Sequence, residues 1–226
     1  MAGRAIGEVV AFGLGVALSP AATIAVVLMV VKPGGRVGAT VFVASWLASL
    51  ATVATLTLLL ADGADAGRSD GPADWVIAVQ TALGLLLVYV AITQWRERGR
   101  DEPNDELPAW MKKVDGLTPR RAAVMAVVLA AVKPKNLILT IGAAIAVAEL
   151  GVSPGAQAAG IAAFLILGTL APGLPLAVSV LTRERGAAFL ESIKSWMVSE
   201  NHTIVAVLCL VFAAKLLGSA LSAVGD

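Results

Sequence analysis

The chain is poor in the side chains that usually carry chemistry. Its 226 residues include one cysteine, Cys209, and one histidine, His202. A lone thiol makes no internal disulfide, and one imidazole excludes a multi-histidine metal site. Cys209 sits in an apolar run and reads as a small core or lipid-facing residue. Charge is also scarce, at 15% of residues against roughly 25% in an average soluble domain. With a net charge of +1, a nucleic-acid binder with a strong basic field is excluded. No Gly-rich loop followed by Lys-Ser/Thr is present, so no nucleotide hydrolysis is expected. No cofactor is expected. An enzyme acting within the bilayer needs a nucleophile with its base, a carboxylate pair or a metal site. None is apparent, so the chain does not read as an enzyme.

What is abundant is apolar surface. Hydrophobic residues make up 58% of the chain, and the mean hydropathy is +0.85. A soluble globule of this size cannot hide so much. The composition predicts an integral membrane protein. A bilayer core about 30 Å thick needs roughly 20 apolar residues in helix. Six stretches qualify: Ile6–Val31, Val37–Ala61, Asp74–Trp95, Ala122–Glu149, Gly155–Thr182 and Asn201–Leu221. They are long and continuous, not short and alternating, which excludes a β-barrel. The first is too long for a cleaved signal peptide, and no clear cleavage site follows it.

Loop charge sets the expected orientation. One set of connections holds Lys32 and Arg36, then Arg96, Arg98, Arg100, Lys112, Lys113, Arg120 and Arg121, then Arg183, Arg185 and Lys194. The opposite side holds only Arg4 and Arg68, beside Asp62, Asp65 and Asp70. The positive-inside rule places the basic set in the cytoplasm. The expected location is the inner (cytoplasmic) membrane, with both termini extracytoplasmic. Two cytoplasmic stretches read as interfacial helices: Leu107, Trp110, Met111 and Val114 beside Lys112 and Lys113, and Phe189, Leu190, Ile193, Trp196 and Met197 beside Lys194.

The expected fold class is an all-α polytopic membrane protein. Its six transmembrane helices form two inverted three-helix repeats, with proline-broken first and fourth helices. Residues 1–98 make the first repeat, 99–121 a cytoplasmic linker with an interfacial helix, and 122–226 the second repeat. Pro20, in Leu18-Ser19-Pro20, falls near the middle of the first span. Pro134, in Lys133-Pro134-Lys135-Asn136, falls near the middle of the fourth. A mid-helix proline removes one backbone hydrogen bond and clashes with the carbonyl a turn back. In hydrocarbon the freed carbonyl needs a polar partner or a cavity. Broken helices in corresponding positions of two halves point to a transport site. The fifth span carries a further break, Pro172-Gly173-Leu174-Pro175. It is expected to be flexible or unwound, either as a gating hinge, as cavity lining, or as a packing kink.

Ionisable groups inside spans are functional candidates. Lys133 and Lys135 lie about 18–20 Å into the fourth span at 1.5 Å per residue, too deep for easy snorkelling. Of sixteen carboxylates, only Glu8 and Glu149 fall within spans, both near the predicted outer ends. Two cations beside a helix break, with no matching protein anion, imply that the anion is the cargo. Ser19 and Asn136 would add neutral hydrogen bonds, and Pro20 and Pro134 would expose backbone groups. The alternative is that both lysines cap carbonyls at the break in a structural role. Lys215, in the sixth span, is an additional candidate cation that either joins the site or snorkels outward.

The residues also resemble a family. Leu18-Ser19-Pro20, then Leu28-Met29 and Pro33, then Ser45-Trp46, is similar to the first half of the GAP/Sap proteins, the peptidoglycolipid- and sulfolipid-addressing branch of the LysE exporter superfamily. The second half resembles them through Pro108-Ala109-Trp110, Asp115-Gly116-Leu117-Thr118-Pro119 and Lys133-Pro134-Lys135-Asn136-Leu137. The family pattern at the last site is usually Asn-Pro-Lys-Asn, and Lys133 replaces its first residue. The resemblance implies a six-helix inner-membrane exporter with its site at the two proline motifs. For this branch it implies an amphipathic cargo, a glycolipid or related anionic envelope lipid. For the wider superfamily it implies amino acids or small cations.

The expected function is therefore a secondary transporter that moves an anionic amphiphile by alternating access. Alternatives are a LysE-type amino-acid or small-solute exporter, and a non-transporting accessory of an envelope-lipid export machinery. Abundant small residues along the spans permit close helix packing or a homodimer.

Overall fold

The computed structural model describes residues 2–32, 34–65, 74–97, 118–181 and 201–225. These are helical nearly throughout. The elements are α1 (Ala2–Ala17), α2 (Pro20–Val30), α3 (Arg36–Asp65), α4 (Asp74–Glu97), α5 (Pro119–Val127), a π-helical turn (Val128–Val132), α6 (Pro134–Ala148), α7 (Pro154–Leu181) and α8 (Asn201–Gly225). Helices α3, α4, α7 and α8 are each long and apolar enough to cross a membrane. Two bent pairs, α1–α2 at 57° and α5–α6 at 61°, bring the spans among the described residues to as many as six when each pair counts as one. The chain thus has the build of a multi-pass membrane protein. The two stretches read as interfacial helices lie outside the described residues.

Four helices start on a proline: Pro20, Pro119, Pro134 and Pro154. A proline at the first helical position wastes no hydrogen bond, because that N–H has no partner within the helix. At α5 the preceding Thr118 completes the cap, its hydroxyl oxygen accepting from the Arg121 N–H at 3.4 Å. Two of these prolines, Pro20 and Pro134, lie where the chain would otherwise run straight on. There the same chemistry that starts α2 and α6 ends α1 and the π turn.

Helix α1 packs along α7, α3 along α5 and α6, and α4 along α8. Close approach rests on glycine. A Cβ at Gly13 would meet Leu167 Cβ at 2.7 Å, and one at Gly84 would meet Leu217 Cγ at 2.7 Å. The interior is filled by Phe12, Phe42, Trp46, Phe164, Leu139 and their neighbours. Phe12 stacks on Phe212 with ring centroids 5.5 Å apart, which ties α1 to α8. Large apolar side chains such as Leu59, Leu60, Leu85, Leu174, Leu210 and Leu221 cover the outside. An apolar exterior of this kind suits a hydrocarbon surround.

The Pro172–Pro175 segment departs from expectation. Helix α7 runs unbroken from Pro154 to Leu181 with both prolines inside it. Pro172 has no N–H to give the Gly168 carbonyl one turn back. The Trp46 indole supplies that donor instead, with Nε1 donating to Gly168 O at 3.2 Å. A side chain from α3 therefore replaces the missing backbone bond, and no unwinding is needed.

Candidate functional site

The two helix breaks meet inside the bundle and hold each other. At the first, the ladder of α1 fails over three residues. The Ser19 N–H bonds Ala17 O at 2.6 Å, and the Ala22 N–H bonds Ser19 O at 3.1 Å. The carbonyls that those two donors would meet in a straight helix, Gly15 O and Leu18 O, are left over. The Lys135 ammonium takes both, donating to Gly15 O at 2.7 Å and to Leu18 O at 2.9 Å. Lys135 is 2% exposed. Its charge faces the carbonyl end of a helix, where the dipole favours a cation.

The second break follows the same logic. The Lys133 N–H bonds Val128 O at 2.9 Å, closing a π-type turn. This skips Leu129 O, which would be its partner in a regular helix. The Asn136 side chain recovers it, with Nδ2 donating to Leu129 O at 2.8 Å. The same Nδ2 lies 3.4 Å from Ser19 Oγ across the two breaks. Asn136 and Ser19 are fully buried. Asn136 Oδ1 is buried too, and it has no hydrogen-bond partner among the described residues. Because Nδ2 faces a carbonyl, exchanging the amide's N and O would set two acceptors against each other.

Ser19, Pro20, Lys133, Pro134, Lys135 and Asn136 are thus brought together in one locus. They do not share one role there. Lys135 and Asn136 spend donors on backbone carbonyls. Lys133 sits at the joint between the π turn and α6, partly exposed, and its ammonium forms no hydrogen bond or ion pair with another described residue. Gly15, beside the junction, accommodates the ring of Phe212, whose Cζ would lie 2.7 Å from an added Cβ.

Other candidates lie apart. Pro172, Gly173 and Pro175 lie on α7, where Gly173 lines an outward-facing apolar groove together with Leu47 of α3. Lys215 pairs with Glu8, Nζ to Oε2 3.0 Å, and lies 4.7 Å from the centre of the Phe12 ring. Sequence reading placed Glu8 and Lys215 on different spans without joining them, since nothing local links residues so far apart. It also missed Trp46 as a backbone donor. The available signal was a tryptophan buried mid-span, away from the headgroup level where tryptophans gather. Among the described residues there is no group of three or more His, Cys, Asp or Glu able to hold a metal.

A family model described as Sap, sulfolipid-1-addressing protein, matches residues 9–222. The chain belongs to the Sap family. The match spans both helix breaks and all six apolar stretches apart from the first three residues of the first. No curated protein and no solved structure matches the chain.

Proposed function

We propose that this Sap-family chain is a secondary transporter of the inner membrane that exports an anionic amphiphile, a glycolipid or related envelope lipid. The family's description, sulfolipid-addressing, supports a role in lipid export or addressing. The observation that carries the reading is the meeting of two proline breaks, one from each half of the chain. Their new helix starts, at Pro20 and Pro134, put backbone N–H groups deep in the bundle, the arrangement by which transporters hold anions at mid-depth. Among the described residues, the Lys133 ammonium has no partner and Asn136 Oδ1 is an unused acceptor. An anionic headgroup carrying hydroxyls would engage both.

The halves read as an inverted repeat. Each has a bent helix pair followed by two long helices. The packing is reciprocal: α1 of the first half lies along α7 of the second, and α5 of the second along α3 of the first. The third spans, α4 and α8, lie side by side. Rocking one half on the other would expose the break region to each side in turn. Kinship with the LysE superfamily and extracytoplasmic termini belong to the same reading.

The test is reconstitution in sealed vesicles with a headgroup-labelled anionic lipid. Wild type should move the label. Lys133→Met should lose most of that movement while Lys133→Arg keeps part of it. Equal rates for wild type and Lys133→Met would remove the proposed ligand. Movement of amino acids in place of lipid would favour the small-solute exporter, and no movement by the lone protein would favour an accessory role.

A further inference from the structure

A second cluster of polar residues lies away from the helix breaks, towards the end of the bundle that carries both chain termini. Glu8 on α1, Gln80 on α4, Glu149 at the end of α6, and Lys215 and Ser219 on α8 line a crevice of about 180 Å³. Two polar contacts cross it. Lys215 Nζ meets Glu8 Oε2 at 3.0 Å and Glu8 O at 3.4 Å. Gln80 Nε2 donates to both Glu149 oxygens, at 2.9 and 3.0 Å. In each pair one partner comes from residues 1–98 and the other from residues 122–226. No local helix contact explains them.

Resting on the transport reading above, we propose that these two pairs are the gate latch at this end of the transporter. Four features support it. Both pairs bridge the halves that must separate for this end to open. They flank one crevice, so parting them opens a single path. The ion pair is half-buried, with side chains 35% and 43% exposed for Lys215 and Glu8, and such pairs are weak enough to break and re-form. Finally, Phe12 lies beneath Lys215 and stacks on Phe212, whose ring fills the space beside Gly15 at the first helix break. A shift at the break is therefore passed to the latch through two packed rings.

The latch also accounts for residues that the cargo site leaves unused. Glu8 and Lys215 neutralise each other, so neither is offered to cargo at mid-depth. Gln80 is 4% exposed, and a buried amide within an apolar span needs a partner from another helix. Glu149, at the end of α6, is placed to be that partner.

The experiment uses the full chain in sealed vesicles, with Cys209→Ala as background and Ala146→Cys, in the crevice wall, as reporter. A membrane-impermeant maleimide is added from the side of the termini. The closed protein should label slowly. Glu8→Gln and Gln80→Leu should each raise the rate several-fold, and the swap Glu8→Lys/Lys215→Glu should bring it back towards the starting value. Rates unchanged by Glu8→Gln and Gln80→Leu would overturn the latch. So would a fast rate that the swap fails to restore. In a second arm, Glu8→Cys/Lys215→Cys is joined by a short cleavable dithiol-reactive linker. Lipid movement should stop on joining and return on cleavage, and undiminished movement when joined would also overturn the latch. Should wild type move no lipid, the labelling arm still decides the latch, and the transport reading fails separately.

Discussion

Replacing Lys135 with methionine tests the central structural claim, because the two side chains are similar in length and both are unbranched. The substitution removes donors from Gly15 O, at 2.7 Å, and Leu18 O, at 2.9 Å. Each is a buried hydrogen bond to a charged group, worth roughly 1.5–3 kcal/mol, and each carbonyl left unpaired in the interior costs about 1–3 kcal/mol. These figures describe the same loss from two sides and are not summed. Taking the ammonium out also relieves part of its burial cost, which places the net in the lower part of the range for the two carbonyls. The net expectation is a destabilisation of about 2–4 kcal/mol. For a chain of this length roughly 2–4 °C of melting temperature accompanies each kcal/mol. The melting temperature in detergent should therefore fall by about 4–16 °C. Lys133→Met removes no hydrogen bond to a described residue and should change it by no more than about 2 °C, within the range of substitutions that break no buried contact. The matched pair of melts is the assay. If Lys135→Met melts like wild type yet loses binding of a labelled anionic lipid, Lys135 is a cargo ligand and the capping argument is wrong.

Other substitutions probe the remaining joints. Trp46→Phe should lose about 1–3 kcal/mol by leaving Gly168 O without a donor. In a Pro172→Ala background the restored backbone N–H serves that carbonyl, so the same change should cost less, and a double-mutant cycle of melting temperatures reads the difference. Additivity within about 0.5 kcal/mol would mean that the indole is not the substitute donor. Asn136→Ala should destabilise by about 1–3 kcal/mol through Leu129 O; an unchanged melt would show that the π turn does not need its side-chain cap. Gly84→Val should push α4 from α8 against Leu217 and cost about 1–3 kcal/mol as overpacking, visible as a lowered melting temperature; a neutral result would show that the two helices have room to move.

Much of the architecture is legible in the sequence because its cause is local. Each apolar run predicted as a span corresponds to a helix or a bent pair, within a few residues. The breaks at Pro20 and Pro134 follow from a missing N–H and a ring clash, which depend on the proline and its own turn. The same rule over-reached at Pro172 and Pro175. A proline says only that a carbonyl loses its donor, not whether a distant residue will replace it. Lys133 and Lys135 look alike on paper, two lysines flanking one proline. A difference of two positions along the chain puts Lys135 against the end of α1 and leaves Lys133 at the joint.

What the sequence determined unaided is therefore the apolar spans, their approximate ends and the breaks at Pro20 and Pro134, because hydropathy and proline act over one or two turns. What only the tertiary structure decided is who completes each broken turn: Lys135 for Gly15 and Leu18, Trp46 for Gly168, and Lys215 as partner to Glu8. Hydrogen bonds and ion pairs act over about 3 Å, and residues a hundred or more positions apart come that close only once the helices have packed.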